Sequence, residues 1–205
     1  MDHQFTKERK RIKSTFNTVS LIYPFIELGL IPHYRKGLER LDLSSNLSVL
    51  DFATGTGILA AAFHDRGHCV RGLDFSPKLL KRARKKYPRI EFDLIDLFEL
   101  NPGDVVKADI VSIGYLLHGL SYDLRRIILQ KAAVLASEYV VIFDHCGHAS
   151  WMVALIELLE GSHYKEFISS DYNKMFGEAG LKIMEEFTVK KMGYCWLCAK
   201  EAIST

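Results

Sequence analysis

Apolar positions along this chain follow two different periods. From residue 47 onward, short runs rich in β-branched and aromatic residues alternate with longer stretches whose apolar residues recur at helical spacing. The β-rich runs are 47–52, 69–74, 90–95, 108–113 and 139–144. Helices are expected over 58–65, from 77 to just before Pro88, and over 122–136, 151–160 and 171–179, the last stopped by Gly180. Ser76 and Pro77 supply an N-cap and a first helical residue for the second of these. Two final runs, 181–189 and 194–199, are joined through Lys191-Met192-Gly193 and read as an antiparallel pair. The order predicts an α/β fold: a seven-stranded, mostly parallel sheet with helices on both faces and an antiparallel C-terminal strand. Residues 1–43 precede the alternation and read as helical, with breaks at Pro24 and Pro32. A single domain is expected, with a helical lid over 1–43 and a core over 44–205.

Composition narrows the class without naming a function. The chain has 205 residues, 48% hydrophobic and 25% charged, which suits one ordinary core. A formal net charge of +2 gives no reason to expect nucleic acid. No stretch reaches the ~18–20 apolar residues of a membrane helix; the best, 21–32, is interrupted by Pro24, Glu27 and Gly29. The N-terminus opens polar and basic with no apolar signal region after it, so the cytoplasm is the expected compartment. Cys69, Cys146, Cys195 and Cys198 lack disulfide or ligand spacing. In Cys195-Trp196-Leu197-Cys198 the two thiols, three apart on a strand, point to opposite faces, so all four cysteines read as small core residues and no metal is expected. Lys78, Lys81, Arg82, Lys85 and Arg89 lie opposite Leu79, Leu80 and Ala83, as on a helix with a solvated outer face. The cluster at 7–13 is basic too, but no RNA-binding appendage accompanies either.

The chemistry concentrates at Asp51-Phe52-Ala53-Thr54-Gly55-Thr56-Gly57, which follows the first β-run and opens a helix. Gly55 and Gly57 permit a tight turn and close approach of a ligand to the backbone. In an open α/β sheet the ligand crevice lies there. A dinucleotide would present its pyrophosphate to this turn, and Asp51 would repel it. S-adenosylmethionine (SAM) carries a sulfonium and an ammonium and no phosphate, so a carboxylate favours it. Asp74 ends the second run, where it suits ribose hydroxyls, with Phe75 placed for adenine. Asp96 follows the third, within reach of an adenine amino group. Any one strand-end aspartate caps a turn as readily; three in register favour a nucleoside site.

These segments together resemble the successive motifs of class I SAM-dependent methyltransferases: Val49 through Gly57, Gly72-Leu73-Asp74-Phe75-Ser76-Pro77, Asp96, and Ala108 through Ser112. The resemblance implies SAM contacts at Asp51, Ala53, Thr54, Gly55, Gly57, Asp74, Phe75, Asp96, Leu97 and Ser112, and a last strand inserted beside its neighbour. Residues 16–29 are also similar to the cap of quinone-biosynthesis C-methyltransferases, which implies an acceptor contact at Tyr23. Those enzymes usually carry Tyr-Asp at Tyr23-Pro24, and Arg-Asn-Val where this chain has Leu116-Leu117-His118.

Methyl transfer needs alignment and exclusion of water, and a base only where the acceptor must lose a proton. Tyr115 and His118 after the fourth run, and His145 after the fifth, are the catalytic candidates; each histidine has an alternative as a cap or core residue. Trp151 is a candidate wall of the acceptor pocket. The expected partner is a small, partly hydrophobic acceptor. RNA or protein methylation, non-catalytic SAM binding and nicotinamide chemistry are the alternatives, and Asp51 argues against the last. The oligomeric state is not legible.

Overall fold

The computed structural model describes residues 23–145, 163–189 and 193–201. Its elements in chain order are α1 (Tyr23–Arg40), β1 (Ser48–Phe52), α2 (Ile58–His64), β2 (Cys69–Asp74), α3 (Pro77–Lys86), β3 (Glu91–Leu94), β4 (Ala108–Gly114), α4 (Tyr122–Leu135), β5 (Ala136–Asp144), α5 (His163–Ile168), α6 (Tyr172–Gly177), β6 (Leu181–Val189) and β7 (Gly193–Lys200). A short 3-10 turn, Leu117–Gly119, links β4 to α4. The expected helix over 151–160 lies outside the described residues.

Seven strands form one sheet in the order β3-β2-β1-β4-β5-β7-β6. Pairings from β3 through β5 are parallel, and β7 enters antiparallel between β5 and β6. Strand alternation divides the core into two layers. Leu50, Phe52, Val111, Ile113, Val140 and Ile142 face the layer closed by α4 and α6. Val49, Ile110, Val141 and Phe143 face the layer closed by α1, α2 and α3.

Cys198 belongs to the first layer and Cys195 to the second, so the two thiols do point to opposite faces. Burial pushes both thiols up, Cys198 to about 12. Cys69 corrects the expectation of an all-core set: it opens β2 at the surface and is exposed. Cys146 lies outside the described residues.

Two further boundaries differ from expectation. Helix α1 runs through Pro32 without a break. Proline there costs one backbone bond to the preceding turn, but Leu30, Tyr34 and Leu38, at i, i+4 and i+8, are buried against the sheet and hold the helix together. Strand β5 begins at Ala136, directly after α4, three residues earlier than its apolar run suggests. Helix α5 was not foreseen, its six residues being too short to show a period. Helix α3 matches its reading: Leu79, Leu80 and Ala83 are buried, and Ser76 Oγ accepts from the Leu79 N–H.

The sheet's direction of growth reverses at β1, which has β2 on one side and β4 on the other. The carboxyl ends of β1 and β4 therefore border a crevice that neither neighbouring crossover fills.

Candidate functional site

The turn after β1 is built from three left-handed residues, Ala53 (φ 51°), Gly55 (φ 58°) and Gly57 (φ 82°). A Cβ on Gly57 would lie 2.8 Å from Phe92 Cζ and 3.1 Å from Tyr87 Cδ2, so glycine is required for space as well as for φ. Gly57→Ala should destabilise the fold by about 2–4 kcal/mol, combining left-handed strain with overpacking; urea unfolding measures it.

Asp51 is buried beneath this turn. It accepts hydrogen bonds from Thr54 Oγ1 and Ser112 Oγ, each at 2.6 Å. Asp74 accepts from the Gly55 N–H at 2.9 Å and the Ser76 N–H at 2.8 Å, tying the turn to β2. Burial raises both carboxyls to about 6, more than these donors lower them, and the two acids also repel each other.

Two adjoining clefts share Ala53 and Gly114. The first is lined by Asp51, Thr54 and Thr56, with Leu30 and Tyr34 of α1 over them. The second is lined by Gly55, Asp74, Phe75, Leu79 and Tyr115. Among the described residues no lysine, arginine or histidine lines either cleft, so two buried carboxylates face them without a counter-charge from those residues. That arrangement accepts a cation and rejects a pyrophosphate. Thr56 Oγ1 is buried on the first cleft without a hydrogen-bond partner, a position that a ligand carboxylate would satisfy. In kind the lining residues suit SAM: Asp51 and Thr56 would serve an amino-acid end, Asp74 ribose hydroxyls, and Phe75 and Leu79 a flat base.

The remaining cofactor candidates, Ser112, Asp96 and Leu97, are not among the residues that line either cleft. Ser112 is fully buried and reaches the site through Asp51. Asp96 Oδ1 accepts from the Phe98 N–H at the turn after β3, and Leu97 is buried in the core beside it.

Beyond Gly114 the structure assembles the acceptor-side candidates. Asp144, at the end of β5, is fully buried. Its oxygens accept from the backbone N–H groups of Leu117 (2.9 Å), His118 (3.3 Å) and His145 (2.7 Å), and His118 Nδ1 lies 2.6 Å from Oδ1. Burial alone would raise this carboxyl, but His118 and His145 outweigh it and hold Asp144 below the usual carboxylate range. An ionised carboxylate only accepts, so Nδ1 of His118 carries a proton, and in the neutral form of the ring Nε2 would be the basic nitrogen.

Aromatic rings surround this pair. The His145 ring lies 4.6 Å from that of His118 and 4.8 Å from that of Tyr115, centroid to centroid. Tyr164 of α5 is 5.5 Å from His145 and 6.0 Å from His118. Tyr115 holds a left-handed φ of 50°, and its hydroxyl lies 3.0 Å from His33 Nε2 on α1. A Cβ on Gly114 would come within 2.5 Å of Tyr34 Oη, so α1 is seated directly on the end of β4. Tyr23 opens α1, but its side chain, like Trp151, lies outside the described residues.

Sequence reading left out four participants: Asp144 as the partner of His118, His33 and Tyr34 on α1, and Tyr164. Only Tyr34 carried a signal, four residues after Leu30 on the same helical face. Thr56 lay inside the glycine motif without being assigned a role.

Comparison with known proteins agrees with this geometry. Residues 49–138 match a protein family described as a methyltransferase domain. The demethylmenaquinone methyltransferase of Chlorobaculum tepidum is 38% identical over 120 residues, covering 54% of this chain and 49% of that protein. The chain spans half or less of the length of the curated relatives it matches. Among solved structures, mitomycin 7-O-methyltransferase superposes with a TM-score of 0.69 at 17% identity, over 97% of this chain and 67% of that one. Human N-acetylserotonin methyltransferase, solved in complex with SAM, gives 0.65 at 16% identity, over 82% and 54% respectively. The motifs, the strand order and the acidic cleft agree with these likenesses: residues 49–138 match a methyltransferase domain, within a chain that has the fold of these methyltransferase structures.

Proposed function

We propose that this chain transfers the methyl group of SAM to a small, partly hydrophobic acceptor that carries a hydroxyl, with His118 as the base that takes the hydroxyl proton. The observation that carries the reading is the His118–Asp144 pair, set at the ends of β4 and β5 beside the clefts that fit SAM. Bound SAM supplies a methyl group already activated by the sulfonium. Asp51 and Asp74 supply the negative field that holds its cationic end and the hydroxyls of its ribose. Nε2 of His118 receives the acceptor proton, and Asp144 stabilises the imidazolium that forms. The rings of Tyr115, His145 and Tyr164 lie within 6.4 Å of the His118 ring, centroid to centroid, and help to keep bulk water from it.

The likeness to demethylmenaquinone methyltransferases makes a quinol the acceptor to test first. Removing a proton from a quinol hydroxyl raises the electron density of both that oxygen and the adjacent ring carbon, so the same first proton transfer serves either methylation site. On the carbon route the ring C–H proton is then lost and the oxygen regains a proton as the ring becomes aromatic again. Purified protein incubated with methyl-labelled SAM and reduced demethylmenaquinone should yield a labelled quinol. Transfer to RNA with strongly salt-dependent binding, and none to small phenols or quinols, would replace this reading with the nucleic-acid one.

The acidic clefts also predict a pH dependence. A bound cation favours the ionised form of Asp51 and Asp74, whose carboxyls otherwise titrate at about 6. SAM affinity should therefore fall as the pH drops through about 6, and binding near that pH should release protons. The unliganded fold should respond oppositely. Both carboxyls are raised above their unfolded value of 3.8, so their ionisation costs stability, and that cost is relieved as the pH falls from 6 towards 4. Calorimetry in buffers of different ionisation enthalpy reads the proton release, and thermal unfolding reads the second effect.

A further inference from the structure

The base proposed above sits on a turn of three residues, Leu117–Gly119, and a turn that short does not fix a side chain by itself. One residue outside the catalytic cluster is built into its support. Arg125, on the first turns of α4, is fully buried. Its Nε–H donates to the Leu117 carbonyl at 2.8 Å, and a terminal N–H donates to the His163 carbonyl at 2.7 Å. Its guanidinium carbon lies 5.1 Å from the centre of the Phe167 ring, and Glu166 approaches its other terminal nitrogen at 3.8 Å.

A fully buried guanidinium is costly to desolvate and is kept where its planar fork meets fixed acceptors. Here the acceptors belong to two different walls of the same site. Leu117 precedes His118, and its N–H also donates to Asp144 Oδ2. His163 begins α5 and precedes Tyr164, whose ring flanks both His118 and His145. Asp144 and Arg125 thus grip one peptide segment from opposite ends, Asp144 through N–H groups and Arg125 through a carbonyl.

We propose that Arg125 is a positioning residue: its bidentate bridge between the Leu117 and His163 carbonyls holds His118 in register with Asp144 and sets Tyr164 against it. The proposal rests on the reading of His118 as the base, but concerns the geometry of that base rather than the reaction. Lysine keeps the charge but places its three donors on one nitrogen, so it cannot keep both carbonyls where Nε and a terminal nitrogen now set them, and methionine of similar length holds neither.

The test is proton NMR of the whole protein with nitrogen-15-labelled histidine. The short Nδ1–H to Asp144 bond should give His118 a far-downfield ring-proton resonance, assigned by its loss in D144N. Arg125→Met should remove or broaden that resonance, and Arg125→Lys should weaken it, while calorimetric affinity for SAM stays within about twofold of the parent. A folded Arg125→Met protein that keeps the parent His118 resonance would overturn the proposal. Should Arg125→Met fail to fold, an unaltered resonance in Arg125→Lys overturns it equally. If the resonance behaves as expected but H118N still methylates at the parent rate, the positioning role stands and the base assignment is the part that fails.

Discussion

His118→Asn should lower the rate of methyl transfer by about 10²–10⁴-fold, the usual contribution of a positioned general base, while SAM affinity stays within about twofold. The separation of the two readouts follows from the structure. His118 does not line the clefts that fit the cofactor, and the turn bearing it is held by backbone N–H groups of Leu117 and His118 that asparagine leaves in place. What the variant loses is the basic Nε2 lone pair. Asp144→Asn should cost a comparable amount by another route. An amide at that position both donates and accepts, so it no longer dictates which ring nitrogen of His118 carries the proton, and it leaves the developing imidazolium without its counter-charge. A His118→Asn protein that turns over at the parent rate would assign the acceptor-side chemistry to alignment alone.

The second large effect concerns Asp74. Asp74→Ala should weaken SAM binding by about 100-fold, equivalent to ~3 kcal/mol for two hydrogen bonds between ribose hydroxyls and a charged acceptor. The same carboxylate also receives the Gly55 and Ser76 N–H groups, so the alanine variant leaves two buried donors unsatisfied and loosens the glycine turn. Asp74→Asn separates the two roles. Its amide oxygen still serves a backbone donor, so the variant should be closer to the parent in thermal stability, yet still lose much of the affinity through its missing charge. Unchanged SAM affinity in both variants would leave Asp74 as a brace of the turn and nothing more.

The two halves of the site were unequally legible in the sequence. The cofactor half is local: Asp51 through Gly57 form one continuous turn and Asp74 with Phe75 ends the next strand, so motif and spacing already single out Asp51, Ala53, Thr54, Gly55, Asp74 and Phe75, which line the clefts. Period-two alternation likewise assigned Cys195 and Cys198 to opposite layers. The acceptor half is assembled from distant segments. The pairing of His118 with Asp144 spans 26 residues and depends on the parallel register in which Gly114 lies beside Phe143. His33 reaches Tyr115 from α1 across 82 residues. Nothing in local pattern announces such contacts. Local rules also misjudged Pro32, where three buried side chains on one helical face override the lost backbone bond, and Cys69, whose place at the open end of β2 leaves it at the surface. Arg125 reads in the sequence as one of two adjacent arginines on an amphipathic helix; only its fully buried position distinguishes it from Arg126.

The most direct test of the account is calorimetric titration of the purified protein with SAM, S-adenosylhomocysteine, NAD and NADP under one set of conditions. Two buried carboxylates facing clefts that no basic side chain lines among the described residues predict that SAM and S-adenosylhomocysteine bind, and that neither dinucleotide does. Binding of NAD or NADP together with no binding of SAM would contradict it.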